Sequence, residues 1–469
     1  MTGGSCTLPV VRGSSVSARR AGADGTLLYE ADSGRERLLN GTGTFVWDRL
    51  DGMRGLDQIA GDMVGTFDGV DAESAARDVQ AFAAELVAQG FVEPASGSAV
   101  PPATQVELDD APKQVDISVT GLCNAKCTYC FYADEMEQRP DLATDAWLAF
   151  FDELGSLAVR SVCLSGGEVF TRRDLWTLID RAIENRMRYS LLSNGTLVDG
   201  DVVARLLERR ARLDSIQVSI DGSRAEIHDA SRGRGSFEKA LRGLRLLKQA
   251  GLPVTSRVTI NQHNVADLEP IAELLLNDVG LRSFGTNDAI EMGSCRQNDS
   301  IRLPPELERA AMLALARLDR RYSGRVTAMA GPLARWRMFH AMERTRFAGG
   351  EPTPLMGRLT ACGCIFDKIA VNHDGTITPC NMLATMVMGR IGETPIREIW
   401  RSHPHLRALR DRRQIPMDDV AECKGCEWTA FCNGSCPAVQ FGLTGSLQRP
   451  DPADCYRRFV AEVGHVPAL

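Results

Sequence analysis

Gly121-Leu-Cys-Asn-Ala-Lys-Cys-Thr-Tyr-Cys-Phe-Tyr132 is the stretch that decides the reading of this chain. Cys123, Cys127 and Cys130 stand at C-x3-C-x2-C spacing, directly after the apolar, strand-like run 115–119. Three thiolates this close, in a loop leaving a strand, suit three irons of a [4Fe-4S] cube, and no fourth cysteine follows nearby. An open coordination position marks a catalytic metal, so the fourth iron is expected to take a small molecule. The competing reading is a zinc loop or three chance cysteines, but zinc pairs usually come as C-x2-C with a distant partner pair.

The rest of the chain sets bounds on that stretch. A length of 469 residues calls for two to four domains, and 44% hydrophobic with 25% charged residues is a globular composition. A net charge of -7 offers no basic patch for nucleic acid or an anionic membrane. No apolar run approaches the ~18 residues of a membrane span. Residues 1–25 lack a signal-peptide core, so the expectation is a cytoplasmic protein. Eleven of the fourteen cysteines fall in two groups, 123–130 and 362–455. In a reducing compartment such grouping speaks for metal or cluster ligation rather than disulfides.

Taken in order, residues 1–23 read as a disordered tail rich in Gly, Ser and Arg. Short strands are predicted at 27–31 and 35–39, helices at 43–50, 56–67 and 72–89, and a closing strand at 91–94. Residues 98–112 read as a Pro-, Ala- and Asp-rich linker. Then strands predicted at 114–120, 161–164, 189–193, 215–220, 254–260 and 282–286 alternate with helices at 145–157, 174–185, 199–210, 236–250 and 265–275. This alternation predicts an α/β fold, a partial (β/α)6 TIM-like barrel, whose chemistry lies at the carboxyl ends of the strands. Residues 291–355 read as a connecting helical region.

The strand ends carry a consistent set of polar motifs. Ser165-Gly-Gly-Glu168 follows the second strand, Ser193-Asn-Gly-Thr196 the third, and Ser219-Ile-Asp-Gly222 closes the fourth. Singly each is an ordinary turn signal. Downstream of the three cysteines they act together, and residues 113–290 resemble a radical S-adenosylmethionine (SAM) enzyme. The resemblance implies that Cys123, Cys127 and Cys130 bind a [4Fe-4S] cluster whose fourth iron is chelated by SAM. It implies Tyr129 near the adenine, and Gly166, Gly167 and Glu168 against the methionine amino group. Ser193, Asn194, Ser219 and Asp221 then line the SAM pocket, with Arg232 a candidate partner for the SAM carboxylate. His228 is read as structural rather than catalytic. Asp221, His263, Asp288 and Glu291 all lie near strand ends as polar residues, and the sequence ranks none of them as a base.

Two flanking units complete the pattern. Residues 24–97, two strands and three helices, have the build of a small winged-helix-like domain, and through Leu39-Asn40, Trp47, Leu50-Asp-Gly52, Ile59 and Val79/Phe82/Leu86 they resemble the PqqD-like domain, also called the RiPP recognition element. The resemblance implies capture of a leader peptide by strand addition. The rival DNA-binding winged helix is disfavoured because its third helix carries Glu73, Asp78 and Glu85 against Arg77. Residues 356–469, with Cys364, Gly375, Cys380, Cys423, Cys426, Cys432, Cys436 and Cys455, resemble the SPASM extension of radical SAM enzymes. That resemblance implies two auxiliary [4Fe-4S] clusters, one held by Cys423, Cys426, Cys432 and Cys455. The other draws on Cys364, Cys380 and Cys436, with Cys362 either completing the set or leaving one iron open. The alternative is a pair of structural zinc sites.

The expected function is therefore peptide maturation. A 5′-deoxyadenosyl radical abstracts hydrogen from a ribosomally synthesised precursor peptide, leading to thioether or carbon–carbon cross-linking or oxidation. The expected partners are that peptide and an electron donor such as flavodoxin or ferredoxin, with no nucleic acid and no membrane. Alternatives are formylglycine formation or another oxidation of a small substrate, and a peptide-binding or cluster scaffold without catalysis.

Overall fold

The computed structural model describes the chain apart from residues 1–8, 23–24, 96–105, 137–138, 353–355, 360–362 and 467–469, and the side chain of Cys364. The N-terminal unit begins with Val10–Arg12 (β1), Val16–Arg20 (β2), Thr26–Glu30 (β3) and Arg35–Leu39 (β4). Gly41–Arg49 (α1), Leu56–Thr66 (α2), Ala72–Ala88 (α3) and Val92–Pro94 (β5) follow. β2, β3 and β4 form an antiparallel sheet in that order, and β1 pairs with β5. Asp71 caps α3 by accepting from the Ser74 amide, and Ala75, Val79, Ala83 and Leu86 make its buried stripe. That stripe packs on Leu28, Leu39, Trp47 and Ile59.

The expectation of a disordered tail over 1–23 is corrected for residues 9–22, while 1–8 and 23 lie outside the described residues. β1 and β2 are ordered strands, and Val10, Val11, Arg12 and Arg19 are buried. Their arginines hid the strands from a composition reading, because both side chains are buried rather than in water, Arg12 over the Trp47 ring of the same unit. Arg19 donates to the carbonyls of Ala111, Pro112 and Ala158 at 2.8–3.1 Å, docking the unit onto the next one. The expected linker is also partly built in: buried Asp110 pairs with Arg397 and Arg401.

The centre of the molecule is a ten-stranded sheet. Its strands, with the helices between them, are Gln114–Ser118 (β6), Thr144–Ser156 (α4), Ser161–Ser165 (β7), Leu175–Glu184 (α5), Arg188–Ser193 (β8) and Gly200–Glu208 (α6). Leu213–Ser219 (β9), Ala225–Arg232 (α7), Ser236–Gln249 (α8), Val254–Ile260 (β10), Leu268–Glu273 (α9) and Phe284–Asp288 (β11) continue it. All neighbours from β6 to β11 pair in parallel. The predicted six-strand α/β core is therefore present. Strands alternate between an apolar face under the helices (Val115, Ile117, Val162, Leu164, Leu191, Val218, Val258) and a polar face. α7 was not foreseen: it buries only His228 and Ser231, so no apolar period announces it.

Two additions widen the sheet. Pro305–Arg321 (α10) leads to Val326–Ala328 (β12), which pairs in parallel with β11, and then to Pro332–Phe347 (α11). On the other edge Cys364–Asp367 (α12) leads to Lys368–Val371 (β13), parallel to β6, and the antiparallel Thr376–Thr378 (β14) and Gly389–Arg390 (β15). The C-terminal cysteine-rich segment thus shares backbone hydrogen bonds with the core. It ends in Ile396–Ser402 (α13), Pro404–Asp411 (α14), Pro437–Thr444 (α15) and Tyr456–Val463 (α16). Among the described residues no helix is long and apolar enough to cross a membrane.

Candidate iron–sulfur and SAM site

The cysteine loop leaves β6 and is clamped from four sides. Asp141 accepts from the Thr120 hydroxyl at 2.6 Å and the Gly121 amide at 2.7 Å. Arg172 donates to the carbonyl of Val119 at 2.5 Å and that of Leu142 at 3.1 Å. The Thr128 amide donates to the Ser231 carbonyl, and the Ser294 amide to that of Cys130. From the C-terminal segment, buried His373 hydrogen-bonds the Tyr132 hydroxyl through Nδ1 at 2.9 Å and lies against Gly121, where a Cβ would sit 2.9 Å from Nε2. His373 was not singled out in the sequence, and its position in a hairpin turn 240 residues downstream gives no signal of it.

The three thiols are partly buried on the one loop. Burial raises all three, that of Cys130 to about 11, and the Cys127 thiolate further raises Cys123 and Cys130. Such thiols ionise when cationic iron is close, so this donor set fits a cluster better than three free cysteines. Among the described residues no fourth cysteine joins them.

Gly166 and Gly167 sit beneath that loop. Gly166 has φ +142°, and a Cβ there would meet the Thr120 carbonyl oxygen at 2.3 Å; one on Gly167 would meet that of Leu122 at 2.3 Å. The amides of Gly167 and Glu168 donate to these same carbonyls at 2.8 Å. The glycines therefore let the cysteine loop come close, an approach of chain to chain. Glu168 is buried, and its carboxylate accepts from the Ser193 hydroxyl at 2.8 Å and the Asn194 amide at 2.7 Å. Desolvation raises its pKa and these donors oppose the rise. Asn194 and Thr196 also bridge to Asn124 inside the loop, each at 2.8 Å. Asn124 and Thr196 were not among the predicted site residues; each sits inside a motif quoted for other residues.

Asp221 is fully buried and serves as a hub. It accepts from the Tyr129 hydroxyl, from Arg232 Nε at 2.5 Å and from the Thr259 amide at 2.7 Å. The Arg232 guanidinium lies over the Tyr129 ring at 5.5 Å. His228 accepts the Asp221 amide on Nδ1, and burial lowers its pKa to about 4. Tyr129, Asp221 and Arg232 thus form one unit behind the third cysteine. Ser219 is half-buried at the end of β9, level with Arg257 of β10. Of the polar residues left unranked as a base, Asp288 is tied to Arg335, which also pairs with Glu308 and Asp454.

Farther along, Cys423, Cys426, Cys432 and Cys455 line one cavity of about 300 Å³ beside Trp428 and Tyr456. Burial raises Cys423 to about 11, with the other three thiolates adding to the shift, so the four converge. This donor set also fits a cluster. Cys380 heads the turn after β14 and Cys436 heads α15, and both pack against the main core. Cys364 begins α12, and Cys362 lies outside the described residues.

Comparison with known proteins agrees with this geometry. Residues 117–275 match the model of the radical SAM superfamily, 25–92 that of coenzyme PQQ synthesis protein D, and 362–427 that of an iron-sulfur cluster-binding domain. The chain is 30% identical over 358 residues to a pre-heme d1 synthase of Dinoroseobacter shibae, covering 74% of this chain and 86% of that protein. It is 26% identical over 340 residues to a PqqA peptide cyclase of Granulibacter bethesdensis, covering 71% and 85%. The fold resembles Streptococcus suis SuiB bound to precursor peptide SuiA, with a TM-score of 0.63 and 13% identity over 95% of this chain and 100% of that one.

Proposed function

The chain belongs to the radical SAM superfamily and is an enzyme with SAM and iron–sulfur clusters as cofactors; from that premise we propose that it matures a ribosomally synthesised peptide. The observation that carries the reading is the open edge of β4. Among the described residues β4 pairs with β3 alone, and it borders a groove of about 400 Å³ lined by Leu38, Leu39, Val46, Met63, Val79 and Phe82. Leu38 is 67% exposed. A leader peptide adds a strand to such an edge and places alternate side chains in the groove. The ion pair between Arg160 and Glu36 ties β4 to the barrel, and Arg19 ties β2 at the other edge of the sheet.

In this proposal Cys123, Cys127 and Cys130 hold the SAM-binding cluster, and Cys423, Cys426, Cys432 and Cys455 one auxiliary cluster. Cys364, Cys380 and Cys436 contribute to a second, with Cys362 as its further candidate. Bound there, clusters and SAM supply the one-electron chemistry that opens an unactivated C–H bond. The chain's own part is placement. Asp221 and Arg232 fix Tyr129 against the site, Gly166 and Gly167 seat the loop, and Glu168, Ser193, Asn194 and Ser219 present polar groups to SAM. Cross-linking or oxidation of the peptide follows, with flavodoxin or ferredoxin as the electron source. The domain limits 24–97, 113–290 and 356–469 belong to the same reading.

A second reading is favoured by the pre-heme d1 synthase relative: modification of a tetrapyrrole. Co-expression with a candidate precursor peptide separates the two. Mass loss on that peptide, abolished by Leu38→Asp together with Phe82→Asp, supports maturation. Modification that ignores both substitutions refutes leader capture.

A further inference from the structure

The polar face of the sheet, opposite the helices, carries a charge without a partner. On β6 and β13 the arrangement is closed: Lys368 Nζ lies 2.8 Å from Asp116, which also accepts from Gln114 at 2.7 Å. On β10, residues Ser256, Val258 and Ile260 are buried, so Thr255 and Arg257 point to the other face, towards Cys163 of β7. Gly285 of β11 leaves the room beside it: a Cβ there would lie 3.2 Å from Arg257 Nε. Among the described residues Arg257 forms no ion pair, and its buried Nε–H donates to nothing. A guanidinium half-buried without a counter-ion, its Nε shut off from water, is costly, and the fork geometry suits a carboxylate. Its place is also telling. Arg257 stands opposite Ser219 in the β9–β10 register, and its carbonyl receives the Ile220 amide, one residue before Asp221.

We propose that Arg257 anchors a carboxylate subsite on the barrel's inner face, beneath the SAM pocket, which takes an acidic side chain or the C-terminus of the peptide to be modified. The inference rests on the peptide reading for the source of the carboxylate, though not for the subsite. Coproporphyrin III offers the same chemistry from the alternative source.

The test uses the cluster-loaded full chain with SAM, held without oxygen. Calorimetric Kd values are measured for acetyl-Ala-Glu-Ala-amide, its Gln counterpart and coproporphyrin III. In the wild type the glutamyl probe binds about tenfold or more tighter than the glutaminyl one, as a charge-assisted pair requires. Arg257→Gln brings the ratio to about one, and Arg257→Lys restores part of it. Cys163→Asp supplies a carboxylate from the chain itself and weakens the glutamyl probe while Arg257 remains, which guards against a misfolded Arg257 variant. A preference that survives Arg257→Gln overturns the proposal. So does the absence of any acid-over-amide preference together with no Arg257-dependent binding of coproporphyrin III. Arg257-dependent binding of coproporphyrin III alone keeps the subsite and rejects the peptide as its source.

Discussion

Replacing Gly166 by alanine places a methyl carbon 2.3 Å from the Thr120 carbonyl oxygen and 3.0 Å from its nitrogen, in a residue held at φ +142°. Both neighbours are backbone, so no side chain can swing away. The end of β7 or the cysteine loop must shift by about 1 Å, judged against ordinary contact distances. The shift stretches the bonds from the Gly167 amide to Thr120 at 2.8 Å and from the Val119 amide to Ser165 at 2.9 Å. Each is worth about 1 kcal/mol, and the strained backbone adds about 1–3 kcal/mol. A loss of about 3–5 kcal/mol corresponds to a fall in the melting midpoint of roughly 10 °C for a unit of this size. The cysteines ride on the displaced loop, so iron uptake at Cys123, Cys127 and Cys130 falls with it. The assay is iron per chain after anaerobic reconstitution without SAM, beside a thermal melt. Full iron and an unchanged melt, with only weaker SAM binding, would show that the glycine makes room for ligand and not for the loop.

Three further outcomes follow from the same geometry. His228 has its pKa lowered from 6.5 to about 4 by burial, so the unfolded chain takes up the proton first. The stabilisation is complete above pH 6.5 and is lost as pH falls towards 4, by at most about 3 kcal/mol. His228→Asn, which keeps an acceptor for the Asp221 amide, should melt with a flatter pH profile between 7.5 and 5; parallel profiles sink this account. Arg19→Gln leaves the carbonyls of Ala111, Pro112 and Ala158 short of donors, and faster hydrogen exchange at 26–30 and 111–116 is expected, whereas unchanged exchange refutes the docking role. Cys426→Ser should remove about four irons per chain and leave the SAM-dependent spectrum of the first cluster in place; simultaneous loss of both signals would contradict separate sites.

The α/β alternation from Gln114 to Asp288 was legible because each strand and helix buries its own apolar stripe, which local periodicity records. Cysteine spacing was legible for a similar reason, since a loop of eight residues can bring Cys123, Cys127 and Cys130 together without help from the rest of the fold. Where the chain closes on itself, the sequence was silent. β2 was hidden by Arg19, whose partners are carbonyls 92 and 139 residues away, and β1 by Arg12, which is buried over the Trp47 ring. β12 and β13 join the sheet through backbone hydrogen bonds, which any side chain permits.

The same division runs through the site. Sequence alone supplied the proposed ligand types, the motif order and the strand ends that bear them. Only the tertiary structure decided that Gly166 and Gly167 yield space to the cysteine loop, that Asp221 is a buried hub, that His373 reaches Tyr132, and that Arg257 has no counter-ion among the described residues. The physical reason is that composition and period report each residue's preference for water or core, whereas a clash, a shared proton or a missing charge is a property of pairs. Those pairs exist only once strands distant in sequence lie side by side.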